Sequence, residues 1–308
     1  MASPVLAEAK ERTQGTLVPG IIDTITLINP ILEYLPFYSV EGGQVEYSFT
    51  ETRGGIMRGS LTGATLSNAA KTATTGDKKS VDLTRILGDV EIGGGMVDAF
   101  QRELGSQTMA KAEGIAEDYV TQFTEGDGTG NSFNGLSSDA FTPSTQQVAP
   151  GTNGDDITLE RIDEVMSLVE SKQGRVDFLM MGRKALVKFR SVLREANGAS
   201  INETRDLPSG TGQLLTYNGA AIVPNYYIPE DVTQGTETDT TTIYAFNTDD
   251  GTMRRGVAGL NTPVNAGLTV EYGGLRDDTD MKFWRVGWTC SLANFHSRAV
   301  AFRSGLKV

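Results

Sequence analysis

Residues 96–136 read MVDAFQRELGSQTMAKAEGIAEDYVTQFTEGDGTGNSFNGL. Phe100, Leu104, Ala112, Ile115, Tyr119 and Phe123 form a stripe spaced mostly by three and four, with Gln101, Arg102, Lys111, Glu117 and Asp118 largely off it. This spacing predicts an amphipathic helix from Met96 to Phe123. At about 1.5 Å per residue the helix is about 42 Å long and spans a domain. Gly105 and Gly114 each cost up to about 1 kcal/mol against Ala, which points to close packing or a bend. The helix stops at Gly126, and GDGTGN reads as its C-cap and a tight turn.

Upstream, Val45, Tyr47 and Phe49 alternate along Gln44–Thr50, which predicts a strand. A second extended segment is expected over Val81 to Ile92. Between them lies a long, small-residue, Gly-rich excursion without helical period, so the pair reads as a protruding two-stranded loop. Loops of this length inside compact domains are usually functional. The first 35 or so residues are short apolar pieces cut by Pro19, Gly20, Pro30 and Pro36. They read as an arm lying along a surface, with a turn or two of helix around Ile21 to Ile28.

Downstream, a polar linker (137–155) precedes a helix capped by Thr158 and ending before Gly174. A buried strand (Val176 to Met181) and a helix (Arg183 to about Glu195) follow. Leu214–Tyr217 and Ala220–Val223 flank Asn218-Gly219, a type I′ hairpin signal. A Thr-rich loop (232–242) and a strand (Thr242 to Phe246) come next. Near the end, Trp284, Val286, Trp288, Cys290 and Leu292 share one strand face, and Ala299 to Leu306 is expected to pair beside that strand. Strands and helices are grouped rather than alternating, so the fold class is α+β.

The 308 residues carry 27 Lys and Arg against 39 Asp and Glu, a net charge of −12. The acid is concentrated centrally: residues 1–95 hold 8 basic and 11 acidic groups, 96–262 hold 13 and 24, and 263–308 hold 6 and 4. Phosphate backbones repel such a chain overall, which argues against free-standing nucleic-acid binding. One cysteine, Cys290, excludes a disulfide within the chain. No apolar run of about 18 residues is present to span a membrane, and the N-terminus lacks the apolar core of a signal peptide.

Catalytic chemistry finds little support. Cys290 and His296 lie six residues apart, about 20 Å on a continuous strand, too far for a dyad. His296 is the only histidine, and no G-x-S-x-G elbow is present. The turn at Gly126, Gly128 and Gly130 follows a helix rather than a strand and lacks a phosphate-binding Lys. Asp127, Thr129 and Asn131 match the first positions of a calcium loop, but Ser138 stands where its Glu belongs. The acid clusters Asp155-Asp156, Asp249-Asp250 and Asp277-Asp278 with Asp280 read as solvated turns, with a calcium site at the last as the alternative. No catalytic, cofactor or metal residue is assigned.

The order of parts resembles the HK97-like major capsid proteins of tailed bacteriophages over essentially the whole chain. TEGDGTGNSFNGL (Thr124–Leu136) resembles the turn after that family's spine helix, and DFLMMGRKALVKFRSVL (Asp177–Leu193) its axial-domain strand and helix. IYAFNTDDGTMRRGVAGL (Ile243–Leu260) and WRVGWTCSLANFHSRAVAFRSGL (Trp284–Leu306) resemble its closing strands. The resemblance implies an N-terminal arm (1–40) and an extended loop with flanking strands (41–90) that reaches over a neighbouring subunit. It further implies a peripheral domain (91–155 and 263–308) around a spine helix (96–123), and an axial domain (156–262).

The implied function is an icosahedral shell of hexamers and pentamers around packaged double-stranded DNA, without sequence-specific binding. The implied setting is the virion capsid, assembled in the host cytoplasm. A portal and a cement protein are among the partners so implied, together with either a separate scaffolding protein or none, because the arm begins near Met1. Assembly residues expected on the arm and loop are Ile21, Ile25, Leu27, Arg53, Arg58, Lys71, Lys78 and Lys79. Lys71, Lys78, Lys79 and Asn294 also supply the residue types of the Lys–Asn cross-links some members form. The net acidity suits a wall that must not adhere to its cargo, so few basic residues should face the lumen. The alternatives are an encapsulin-type compartment with protein cargo and a hydrolase built on acid pairs.

Overall fold

The computed structural model describes residues 25, 29–52, 75–93, 101–169, 176–196, 204–206, 213–275 and 280–308. Expectations for residues 1–24, the loop tip at 53–74, the helix start at 96–100, Gly174 and Asp277-Asp278 lie outside them. The first half contains α1 (Ile31–Tyr34), β1 (Phe37–Ser39), β2 (Gln44–Thr52), β3 (Thr75–Asp82), β4 (Thr84–Gly93) and α2 (Gln101–Glu125). The second half contains β5 (Gln147–Val148), β6 (Asp155–Asp156), α3 (Leu159–Leu168), β7 (Phe178–Met181), α4 (Arg183–Glu195) and β8 (Thr204–Asp206). It continues with β9 (Gln213–Tyr217), β10 (Ala220–Pro224), β11 (Val232–Gln234), β12 (Glu237–Phe246) and β13 (Val257–Asn261). The chain closes with β14 (Leu268–Leu275), β15 (Met281–Asn294) and β16 (Val300–Lys307). The class is α+β.

The long helix lies between two sheets. Its inner stripe (Ala112, Ile115, Ala116, Tyr119, Val120, Phe123) is buried in one cluster with Val286, Trp288, Cys290 and Leu292 of β15. Trp288 is fully buried, donates Nε1–H to the Ala266 carbonyl at 3.1 Å, and has its ring 4.6 Å from that of Tyr119. The expected alternation of the Trp284–Leu292 strand is therefore realised. β15 is the axis of a five-stranded sheet, pairing with β4, β13 and β14, and β1 pairs with β13.

The nine-stranded sheet runs β5-β16-β12-β7-β10-β9-β8, with β6 on β16 and β11 on β12. β7 is buried on both faces, as its unbroken apolar run requires. Phe178 and Met180 join the spine-helix cluster, whereas Leu179 and Met181 face α3 and α4. Thr158 Oγ1 caps α3 by accepting from Arg161 N at 3.3 Å, and Asn218 (φ 48°) with Gly219 (φ 80°) makes the expected two-residue turn.

Several expectations are corrected. The final strand, β16, pairs antiparallel with β12 in the nine-stranded sheet rather than beside β15. Its Ala301 and Leu306 bury against the α3 and α4 layer, so both faces of β16 are satisfied there. The Thr-rich stretch is a β11–β12 hairpin, because Gly235 takes φ +62° and the buried Thr240 and Thr241 hydroxyls donate to the Val232 and Pro229 carbonyls at 2.7 Å. The extended segment after the loop is two strands, β3 closing the ribbon and β4 entering the five-stranded sheet along β15. Gly105 and Gly114 are not close-packed, since a Cβ at either would meet nothing within 4 Å.

Candidate assembly surface

Local chemistry fixes the turn after the spine helix. Gly126 and Gly135 lie so close to the helix end that a Cβ would stand 2.1 Å from the Phe133 carbonyl oxygen and 2.3 Å from that of Gln122, respectively. Leu136 N and Ser137 N donate back to the carbonyls of Phe123 and Thr124, each at 2.9 Å, closing the helix end. Asp127 accepts from Thr129 N at 2.9 Å and Thr129 Oγ1 at 2.7 Å, which holds its carboxyl below the usual range. The segment is a cap and a turn.

The two-stranded ribbon β2–β3 is rooted on a small core of its own, formed by Tyr38, Val40, Ala258, Leu260, Ala293 and Phe295. Val45, Tyr47, Val81 and Leu83 pack on it, with the Tyr47 ring edge-on to Phe295 at 5.0 Å. Lys79 Nζ donates to the Ala140 carbonyl at 3.0 Å, tying the ribbon to the segment after the spine helix. A cleft of about 480 Å³ lies between these parts, lined by Tyr47, Lys79, Asn134, Phe141 and Ser291 among others. Burial pushes the Tyr47 phenol up to about 12.

The expected assembly residues thus fall in three groups. Arg53, Arg58, Lys71, Ile21 and Leu27 lie outside the described residues. Lys78 is exposed on the ribbon, and Lys79 is anchored at its root. Ile25 is a correction: it is 0% exposed and belongs to the spine-helix core of its own chain, so its apolar surface is already buried. Asn294 is not poised for a cross-link to a lysine. It is 1% exposed, its Nδ2 donates to the Phe141 carbonyl at 2.9 Å and its Oδ1 accepts from His296 N at 3.1 Å.

One acid of each of two pairs read as solvated turns is structural instead, while Asp156 and Asp250 stay exposed. Asp249 is buried and accepts from the Tyr38 hydroxyl and from Gly251 N, Met253 N and Arg255 N at 2.9–3.1 Å. This clamps the 249–255 turn against β1, and burial together with that bond pushes the Tyr38 phenol well up. Asp155 accepts from Arg303 Nη2 at 2.7 Å and Arg161 Nη2 at 2.9 Å, and the Arg303 bond leads in holding its carboxyl below the usual range. The Asp-Asp-Gly stretch at 249–251 was the available signal for the first. Nothing local signals the second, which joins residues 148 positions apart.

Cys290 is fully buried, which pushes its thiol well up, and His296 Nδ1 accepts from Arg298 N in a turn. Among the described residues no three His, Cys, Asp or Glu are grouped to hold a metal ion, and no helix is long and apolar enough to cross a membrane.

The fold is shared with shell subunits. The encapsulin of the holo-SrpI complex from Synechococcus elongatus superposes with a TM-score of 0.70 at 18% identity, covering 100% of this chain and 97% of that one. The capsid of a native GTA particle gives 0.61 at 14% identity (96% and 93%), and that of Mycobacterium phage Bobi 0.59 at 13% (91% and 90%). No curated protein matches the chain by sequence. The model of the phage capsid family matches residues 15–262. The chain belongs to the phage capsid family, and its fold is that of the HK97-like major capsid proteins.

Proposed function

We propose that this chain is the major capsid subunit of a tailed bacteriophage, forming hexamers and pentamers of an icosahedral shell that encloses double-stranded DNA. The supporting observation is architectural. Among the described residues the ribbon packs only at its root, on a body built on one long helix, and such a ribbon gains order by burying surface on a neighbour. In this reading the ribbon, with Arg53, Arg58, Lys71 and Lys78, reaches over the next subunit, and the arm with Ile21 and Leu27 lies along it. The chain acts structurally and not as an enzyme. A portal, a cement protein and a scaffolding protein complete a virion capsid assembled in the host cytoplasm.

An encapsulin-type shell around protein cargo is the second reading, favoured by the end-to-end superposition on the Synechococcus elongatus encapsulin. Particles isolated from producing cells and treated with nuclease separate the two. Protected double-stranded DNA supports the phage reading, a protein cargo without DNA supports the compartment, and the absence of particles refutes both.

A further inference from the structure

Helix α4 (RKALVKFRSVLRE) buries Ala185, Phe189 and Leu193 and exposes Arg183, Lys184, Val187, Lys188, Arg190 and Arg194. Five cations thus stand on one helix of a chain whose net charge is −12. Little inside the subunit neutralises them. Lys184 Nζ is 3.9 Å from Asp239 Oδ1, with both side chains more than half exposed, and the Arg183 guanidinium lies over the Tyr226 ring at 5.5 Å. Lys188 and Arg190 make no ion pair among the described residues. At the helix start the Glu230 carboxylate, which accepts from Lys184 N and Ala185 N, offsets the dipole beside Arg183 and Lys184, so the cations left without an acidic partner are those further along the helix. Val187, 61% exposed, lies with Val308 in an open groove of about 550 Å³ edged by Arg183, Lys184, Lys188 and Arg194.

The neighbouring helix carries the opposite sign. Asp156, Glu160 and Asp163 are exposed at the start of α3, and Asp163 accepts from two neutral groups, Asn218 Nδ2 at 3.1 Å and the Tyr217 hydroxyl. Neither Glu160 nor Asp163 pairs with a cation among the described residues. Both helices cover the same face of the nine-stranded sheet, in one layer. A ring contact joins two different patches of the same chain, and here the two patches carry opposite charge.

We propose that the cationic face of α4 docks on the acidic start of α3 of a second copy, forming a head-to-tail contact within the capsomer. This rests on the shell reading above and deepens it.

The test uses the full-length chain. Lys188→Glu with Arg190→Glu, and separately Glu160→Lys with Asp163→Lys, should each weaken self-association at least about tenfold, because like charges then face each other. Sedimentation should show subunits replacing particles, while circular dichroism stays native. Combining all four reversals should restore particles. The milder Lys188→Gln with Arg190→Gln, expected to give partial loss, replaces either pair if it does not fold.

Wild-type-like assembly of the folded reversals, or a folded quadruple variant that stays dissociated, overturns the proposal. So does an intact shell that loses only co-purifying nucleic acid, which would assign the face to a polyanion. A wild-type chain that forms no particles fails the shell reading itself. The contact is then read from salt-sensitive self-association of the subunit, which the reversals must abolish and the quadruple variant restore.

Discussion

Arg303→Met, combined with Asp155→Asn, tests the polar network that locks β16 onto β6 and α3. The Arg303 side chain is 9% exposed and donates to Asp155 (16% exposed) and to Glu164 (52% exposed). The Glu164 arm faces water and is worth at most about 1 kcal/mol. Breaking a buried pair costs about 3–5 kcal/mol when the remaining charge is stranded. Asp155 is not stranded, because Arg161 Nη2 and Gly151 N still donate to it at 2.9 Å. Arg303 Nε is buried without a partner, and its removal returns about 1 kcal/mol or more.

Arg303→Met is therefore expected to cost about 2 kcal/mol. Asp155→Asn, which leaves the guanidinium buried with only an exposed acid, should cost about 3 kcal/mol. The double variant should fall short of the sum by at least about 1.5 kcal/mol. Urea unfolding of dissociated subunits, followed by circular dichroism, measures all three. Additive single costs would refute the network as a cooperative unit.

Further expectations concern the cap, the ribbon and the acid limb. Glu230 Oε1 accepts from Lys184 N and Ala185 N at the uncapped start of α4, so Glu230→Ala should cost about 1 kcal/mol, read as a lower urea midpoint. Tyr47→Ser removes the ring that seats the ribbon on Phe295; the subunit should stay folded while particle yield falls, and unchanged assembly would show that the root does not direct the ribbon. Because Asp155's carboxyl is held below its ordinary value, its stabilisation is complete above the unfolded value of about 3.9 and is lost as pH falls through the folded value. Asp155→Asn should flatten that part of the acid-unfolding curve. Denaturing gels of particles should show only monomer, since both ends of the Asn294 amide are engaged.

The sequence made legible those parts whose signals are local. The Thr158 cap, the Asn218-Gly219 turn, the α4 boundaries and the β15 alternation each depend on residues within a few positions of one another. The partner of the last strand was not legible, because β16 alternates well enough for either sheet and its place depends on β12, more than fifty residues upstream. The β11–β12 hairpin was hidden because Thr240 and Thr241 are polar in composition but buried, their hydroxyls satisfied by distant carbonyls. Asp155 looked like a turn acid for the same reason, since its Arg303 partner is set by folding; Asp249 does hold its own turn, and only its bond to the distant Tyr38 was hidden. Of the candidate surface, the ribbon was visible as a loop too long and too small in its residues to pack alone. Its root was not, because Tyr38, Tyr47 and Phe295 come together only in three dimensions.

The central claim is that this chain closes into a shell. Electron microscopy of the purified full-length protein, with any co-expressed scaffold, tests it most directly. The account predicts closed particles with icosahedral symmetry, built of five- and six-membered rings. A folded, monodisperse monomer under every assembly condition would contradict it.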